Sequence, residues 1–267
     1  MKFYASLERI LNVFDINEKE RLLERAFYCL QKNEIEESFP LKVFPPSYTS
    51  FCEVVDPRRL PLRKDFDSNE GMAKLLHAIA HIEYSAIDLA VDAVYRFQDM
   101  PFSYKFDWLE VAKEEIRHFK FINEILNDLG YKYGDFPVHT GLMDAAFHTS
   151  SDVLERMAVI PRYYEASGLD VNPQIMRKVK SSKHPLKNRV LKALDIIYKE
   201  EISHVYKGDK WFKYVCEKRG LSKNIYFEIL KKYSLLNKNR PHLNIEGRKM
   251  AGFSCDEILK LGAKECK

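Results

Sequence analysis

Glu114–Phe119 reads EEIRHF, and Glu200–Val205 reads EEISHV. Each stretch sets a glutamate three residues before a histidine: Glu115 with His118, and Glu201 with His204. On an α-helix, residues i and i+3 share a face, so each pair presents a carboxylate and an imidazole to one side. A single ExxH is a weak signal, because a solvated helix face often carries one. Two of them gain weight if the helices ahead of them supply partners. Four-helix di-iron and di-manganese carboxylate proteins use this plan: a Glu-x-x-His from each of two helices and one Glu from each of the other two.

Working upstream, Glu83 lies 32 residues before Glu115 and is the only acid between Gly71 and Ile87, on an apolar background. A carboxylate buried there without a partner is costly. Ahead of the second pair stand Glu155 and Glu165, 46 and 36 residues before Glu201. The spacing of Glu165 matches the first half, so Glu165 is the expected ligand, and Glu155 a structural acid pairing with Arg156 or Arg162. The expected set is therefore Glu83, Glu115, His118, Glu165, Glu201 and His204, with metal-binding and catalytic roles. Hard carboxylates with imidazole suit two iron ions, or manganese or a mixed manganese/iron pair, better than four-coordinate zinc.

The flanking pattern fits an all-α chain. Apolar residues recur at helical spacing in FYASLERILNVF and ERLLERAFYCLQ, giving two short helices in 2–33. Pro40, Pro45, Pro46, Pro57 and Pro61 make 34–66 an irregular arm. Asp67, with Glu70 three residues on, reads as the cap of a helix running to about Phe97. A second helix is expected from about Ser103 to Leu129, and a loop over 131–142. A third helix is expected from Ser150 or Ser151 to about Gly168, kinked at Pro161. A short helix near 173–182, a long one from about Pro185 to Arg219 and another over 221–236 complete the series. The last thirty residues read as loosely held turns. The expected organisation is a helical and Pro-rich arm (1–66), a di-metal four-helix bundle (67–220) and a C-terminal helical extension (221–267).

Composition narrows the class. The 267 residues are 46% hydrophobic and 31% charged, enough for one sizeable core. A net charge of +4 permits a nucleic-acid partner without arguing for one. No apolar run is long enough to span a bilayer, and the N-terminus lacks signal-peptide character. The five cysteines are scattered with no CxxC, which excludes a cysteine zinc knuckle and fits a reducing, cytoplasmic setting.

The blocks LLHAIAHIEYSAIDLAVDAVYRF, DWLEVAKEEIRHF, YGDFPVHTGL, ERMAVIPRYYEASGLDVNP and EEISHV, in this order, resemble the DUF455 family over roughly residues 55–220, with a fainter echo in NIEGRKMAGF. The helical core also resembles, more distantly, the di-iron tRNA hydroxylases of the ferritin-like superfamily, whose third-helix glutamate sits in a similar context to Glu165. The resemblance implies a ferritin-like fold and a metal site and leaves the substrate open. The family usually reads Glu-Ala-Arg-Gly where this chain has Glu165-Ala166-Ser167-Gly168.

Together these readings point to an O2-using di-iron oxidoreductase acting on an unknown organic substrate: a modified tRNA base, a lipid chain or a small metabolite. An electron-donor reductase would be needed, and a homodimer is compatible. The alternative is a ferroxidase or iron-handling protein without an organic substrate. His81, His139 and Tyr164 are candidates to support the ligands from behind, although His81 in a half-apolar setting is more often a satisfied core residue. Asp88, Asp92 and Asp195, one or two turns from ligands, are solvent-facing acids unless one of them orients His118 or His204. A reductase-type radical tyrosine is disfavoured, because Ile122 stands one turn after His118.

Overall fold

A computed structural model describes residues 2–37, 39–236 and 242–266. The described residues form α-helices, two 3₁₀ turns and one π-helical segment, with a single isolated bridge between Val54 and Val138. The all-α expectation holds. The chain divides into two compact units.

The first unit comprises Met1–Met143 and Ser181–Ala193. Helices α1 (Phe3–Asn12) and α2 (Ile16–Gln31) bury Phe3, Tyr4, Leu7, Ile10, Leu22, Leu23 and Leu30, the apolar stripe of the sequence. The arm after them contributes 3₁₀ turns at Ser47–Ser50 and Pro57–Arg59. Helix α3 (Asn69–Arg96) is buried at every position from Glu83 to Tyr95, as befits a helix at the centre of its unit. Its cap is Ser68, whose side chain accepts from the Gly71 amide at 3.1 Å. Asp67, the expected cap, instead accepts from the Lys183 amide at 2.6 Å. Helix α4 (Phe102–Asp128) folds back along α3 and stops before Gly130.

A buried polar network joins the arm to α3. Lys19 Nζ lies 2.5 Å from Asp88 Oδ1 and donates to the Ile10 carbonyl at 2.7 Å. Ser47 donates to the other Asp88 oxygen, and the Tyr84 hydroxyl donates to the Phe14 carbonyl. Lys19 and Asp88 are essentially inaccessible to water.

The loop after α4 hangs from two α3 histidines. His77 Nε2 accepts from the Gly134 and Phe136 amides at 3.0 and 3.4 Å, so it must carry a lone pair. Burial first, and then the neighbouring His81, pull the His77 pKa down to about 4. Since the unfolded value is near 6.5, the unfolded chain binds the extra proton between those limits. The fold therefore holds this contribution above pH about 6.5 and loses it as pH falls toward 4, at about 1.4 kcal/mol per unit. We expect His77→Gln, which keeps an acceptor and cannot titrate, to lose less stability than wild type between pH 7 and 4.5. Urea midpoints at the two pH values check this.

The second unit comprises Asp144–Lys180 and Leu194–Lys267. Helix α5 (Gly141–His148) begins inside the expected 131–142 loop and ends within this unit. Next come α6 (Val153–Val159), a π segment (Ile160–Glu165) and α7 (Ala166–Ser181). The chain neither stops at Gly168 nor starts a separate helix at 173, contrary to the sequence reading. Pro161 is absorbed by the wider π turn, in which the Ala166 amide reaches the Pro161 carbonyl five residues back. That register frees the Arg162 carbonyl, and the Tyr226 hydroxyl donates to it at 2.9 Å. Pro173 has no amide for the Leu169 carbonyl, and Asn244 Nδ2 donates there at 3.0 Å.

Helix α8 (Lys187–Lys218) runs on into this unit, and its Gly208 faces Pro161. A Cβ at Gly208 would lie 2.2 Å from the proline Cβ, so no larger residue fits. Helices α9 (Ile225–Lys232), α10 (Ile245–Met250) and α11 (Cys255–Lys260) close the unit. The C-terminal residues are tied more firmly than the sequence suggests. Arg248, fully buried, makes a two-pronged pair with Asp170 at 2.9 and 2.6 Å and donates to the Ala166 carbonyl. Cys255 and Cys266 form a disulfide, a pairing not expected from the scattered cysteines; Cys29, Cys52 and Cys216 are buried and unbridged. No described helix is long and apolar enough to cross a membrane.

Candidate metal centre

In the first unit, α3 supplies Glu83 and α4 supplies Glu115 and His118. All three are buried, His118 completely. His118 Nδ1 lies 3.2 Å from Glu83 Oε2 and 3.3 Å from Glu115 Oε2. One ligand atom from each residue falls within 4.8 Å of the others, close enough for one cation. Glu83 sits in the apolar centre of α3, so burial pushes its pKa up, and the Glu115 charge pushes the same way. Burial opposes a charge on His118, but hydrogen bonds and charges from Glu115 and Glu83 overcome it and raise its pKa. Two carboxylates thus compete for positive charge in a dry place, which is the electrostatic signature of a cation site.

The donor set suits a hard or borderline divalent metal. Nδ1 is the His118 nitrogen aimed at the carboxylates, and a metal ligand there must be deprotonated. Metal and proton therefore compete for the same group.

The second unit repeats the local motif. On α8, His204 Nδ1 lies 3.3 Å from Glu201 Oε2, with His204 fully buried and the Glu201 side chain 15% exposed. Glu165 is the last residue of the π segment and is half-buried. π segments often mark functional positions, because they displace a side chain from its α-helical register. Tyr164 beside it is half-buried and meets the Tyr163 ring edge-on at 5.2 Å.

The other residues singled out in the sequence have settled partners. His81 donates from Nε2 to the His139 carbonyl at 2.9 Å, and its Nδ1 accepts from the Tyr133 hydroxyl at 2.8 Å. His139 Nδ1 accepts from the Gly141 amide. Asp88 takes Lys19, Asp92 takes Arg96 at 2.6 Å, and Asp195 takes Lys199 at 2.6 Å. Contrary to the sequence reading, Asp88 and Asp92 are both buried, and Asp195 is half-buried. Glu155 pairs with Lys232 and Tyr233, not with Arg156 or Arg162. Arg156 donates to Thr149 and the Ala146 carbonyl.

The residues that hold the Glu165 turn do not stand out in the sequence. Arg162 is fully buried, 2.6 Å from Glu257 and 3.0 Å from Asp209, with the rings of Tyr226, Phe212 and Phe253 at 4.2, 4.5 and 4.8 Å. Asn244 and Arg248, both in the NIEGRKMAGF block, grip the start of α7. That block is the available signal: conspicuous polar residues in a tail that otherwise reads as loose.

A family model described as "Protein of unknown function (DUF455)" matches residues 12–259. An uncharacterized protein of Haemophilus influenzae is 38% identical over 271 residues, covering 96% of this chain and 92% of its own length. No solved structure matches the chain. Matched over nearly its whole length, this chain belongs to the DUF455 family.

Proposed function

We propose that this protein is a di-iron carboxylate oxidoreductase built on a ferritin-like four-helix bundle, using O2 to oxidise an organic substrate. The observation that carries the reading is the buried Glu83–Glu115–His118 group. Burying two carboxylates against one imidazole is unfavourable unless a cation joins them. On this reading Glu165, Glu201 and His204 supply the second half of the site, and Glu201 and His204 already share the i, i+3 geometry of the first pair. A catalytic role for these six residues follows from the metals they would hold. Bound iron would supply the capacity to reduce O2 and oxidise a C–H bond.

The chain's own part is to position and to exclude. Helices α3 and α4 fix Glu83, Glu115 and His118 on rigid backbone, and the surrounding apolar residues keep water out. The His118 proton must leave as metal enters, so iron binding releases protons and tightens as pH rises.

The test is anaerobic titration with Fe(II), followed by admission of O2. The expected result is about two irons per chain, as six such ligands imply, with prompt oxygen uptake. Glu115→Ala is expected to abolish iron binding while the far-UV dichroism remains helical. Iron binding that survives in this variant overturns the ligand set. Uptake of many irons per chain would instead identify an iron-storage protein.

A further inference from the structure

The positive charge of this chain is concentrated in one place. Residues 171–194 contain Arg177, Lys178, Lys180, Lys183, Lys187, Arg189 and Lys192, and no acid. The rest of the chain is net acidic, with 36 Lys and Arg against 39 Asp and Glu. A modest total of +4 therefore hides a strong local excess.

In the first unit this stretch meets a second basic segment. The Lys183 amide is held by Asp67, and His184 Nε2 bonds Asn69 Oδ1 at 3.0 Å, so the 182–187 turn is pinned beside the start of α3. The end of the arm is seated at the same place. At Gly71, a Cβ would fall 2.4 Å from the Lys64 carbonyl and 2.0 Å from that of Asp65, so only glycine lets the arm lie this close. Arg59, Arg63, Lys64, Lys183 and Lys192 are all exposed. None of them has an ion-pair partner among the described residues. Elsewhere on this unit's surface cations are commonly paired: Lys42 with Glu8, Lys74 with Glu70, Lys120 with Glu20. Of the acids close by, Asp56 is taken by Arg58, Glu124 and Asp128 by Arg189 of the stretch itself, Asp67 by the Lys183 amide and Glu70 by Lys74, while Asp65 is exposed.

We infer that the face formed by Arg59, Arg63 and Lys64 of the arm with Lys183 and Lys192 binds the phosphate backbone of a nucleic acid. The cations are too many, and too widely spread along the chain, for a small anion. A bilayer surface would need apolar side chains to insert. Around this face Val190 and Ala193 are buried and Leu60, Leu186 and Leu191 half-buried; among its described residues Leu62, beside Arg63, is the one large apolar side chain left exposed, too little to anchor a bilayer surface. Unpaired Lys and Arg along an extended surface are the electrostatic footprint of a phosphate backbone. Phosphate binding at this face does not depend on the metal site; if both hold, a nucleic acid is the substrate class.

The test is fluorescence anisotropy of a labelled mixed-sequence RNA oligonucleotide with the full chain, between about 50 and 200 mM salt. Duplex DNA is run in parallel. The variant R63Q/K64Q/K183Q/K192Q changes only exposed side chains, and its fold is checked by dichroism. Wild type is expected to bind at least one of the two nucleic acids, with affinity falling steeply as salt rises. The variant should bind at least about tenfold more weakly, with a salt slope shallower by about 0.7–0.9 for each phosphate it no longer neutralises. Equal binding by variant and wild type overturns the proposal. So does absence of binding by wild type, or retention on anionic phospholipid vesicles without binding of either nucleic acid. Iron loading of the same variant should match wild type, so failure here is distinguishable from failure of the metal site.

Discussion

Lys19→Met is expected to destabilise the protein by about 3–5 kcal/mol, the usual cost of stranding one partner of a buried ion pair. Asp88 is 1% exposed, and Lys19 is the one cation paired with it among the described residues. Burial pushes the Asp88 carboxyl up, and Lys19 and Ser47 pull it back. Without Lys19, burial acts almost alone. The folded-state pKa of Asp88 then lies well above its unfolded value, and the folded chain binds the extra proton in the window between them. Its stability must therefore fall as pH rises through that window. The destabilisation in Lys19→Met should be smaller at pH 5 than at pH 8, a signature that a simple packing defect would not give. Asp88→Asn on the same background keeps a hydrogen bond to Ser47, removes the charge, and should recover a large part of the stability. Urea denaturation of the single and double variants at both pH values measures each quantity. A pH-independent effect would mean that packing around the lysine stem, not its charge, holds the arm.

That network also marks the reach of the sequence. Helices α1 to α4 and the length of α8 are legible in it, because each joins a periodic apolar stripe to an identifiable stop, such as Gly130 or Gly220. The cap of α3 differs by one residue from the expected one because Asp67 and Ser68 are both good caps, and a tertiary bond to Lys183 decides between them. Lys19 looks like any surface lysine; its partner lies 69 positions away. The region from Pro161 to Ser181 departs from expectation for a similar reason. Pro161, Gly168 and Pro173 ordinarily end helices. Here the Arg162 and Leu169 carbonyls, left open around the two prolines, accept from Tyr226 and Asn244, 64 and 75 positions away, and Arg248 holds the Ala166 carbonyl from 82 positions away. In the candidate site, the Glu83, Glu115 and His118 group is legible, because unbroken helices preserve their spacing. Glu165 rests on spacing too, but it stands at the end of a π turn, whose register no helical period predicts.

Arg162→Met should be the most damaging single substitution in the second unit. The guanidinium is wholly buried and joins three helices, through Asp209 and Phe212 of α8, Tyr226 of α9 and Glu257 of α11, with the Phe253 ring beside them. Removing the cation leaves two buried carboxylates, Asp209 with Lys213 at 2.5 Å and Glu257 with only the neutral Ser254 amide and hydroxyl among the described residues. The expected cost is about 3–5 kcal/mol for the stranded charges, plus about 2 kcal/mol for desolvated contact with aromatic faces. Arg162→Lys should not restore it, since one ammonium cannot span both carboxylates while stacking among the rings. Adding Asp209→Asn and Glu257→Gln to Arg162→Met removes the stranded charges and should recover much of the stability. The turn, however, would still lack the side chain that fixes it to α8 and α11, three residues before Glu165. On the proposed ligand set, the triple variant should therefore fold yet bind less iron, falling from about two per chain toward one. Denaturation midpoints and anaerobic Fe(II) titration read the two effects separately. Full iron binding in a stable triple variant would show that Glu165 does not depend on this anchor, or does not hold metal at all.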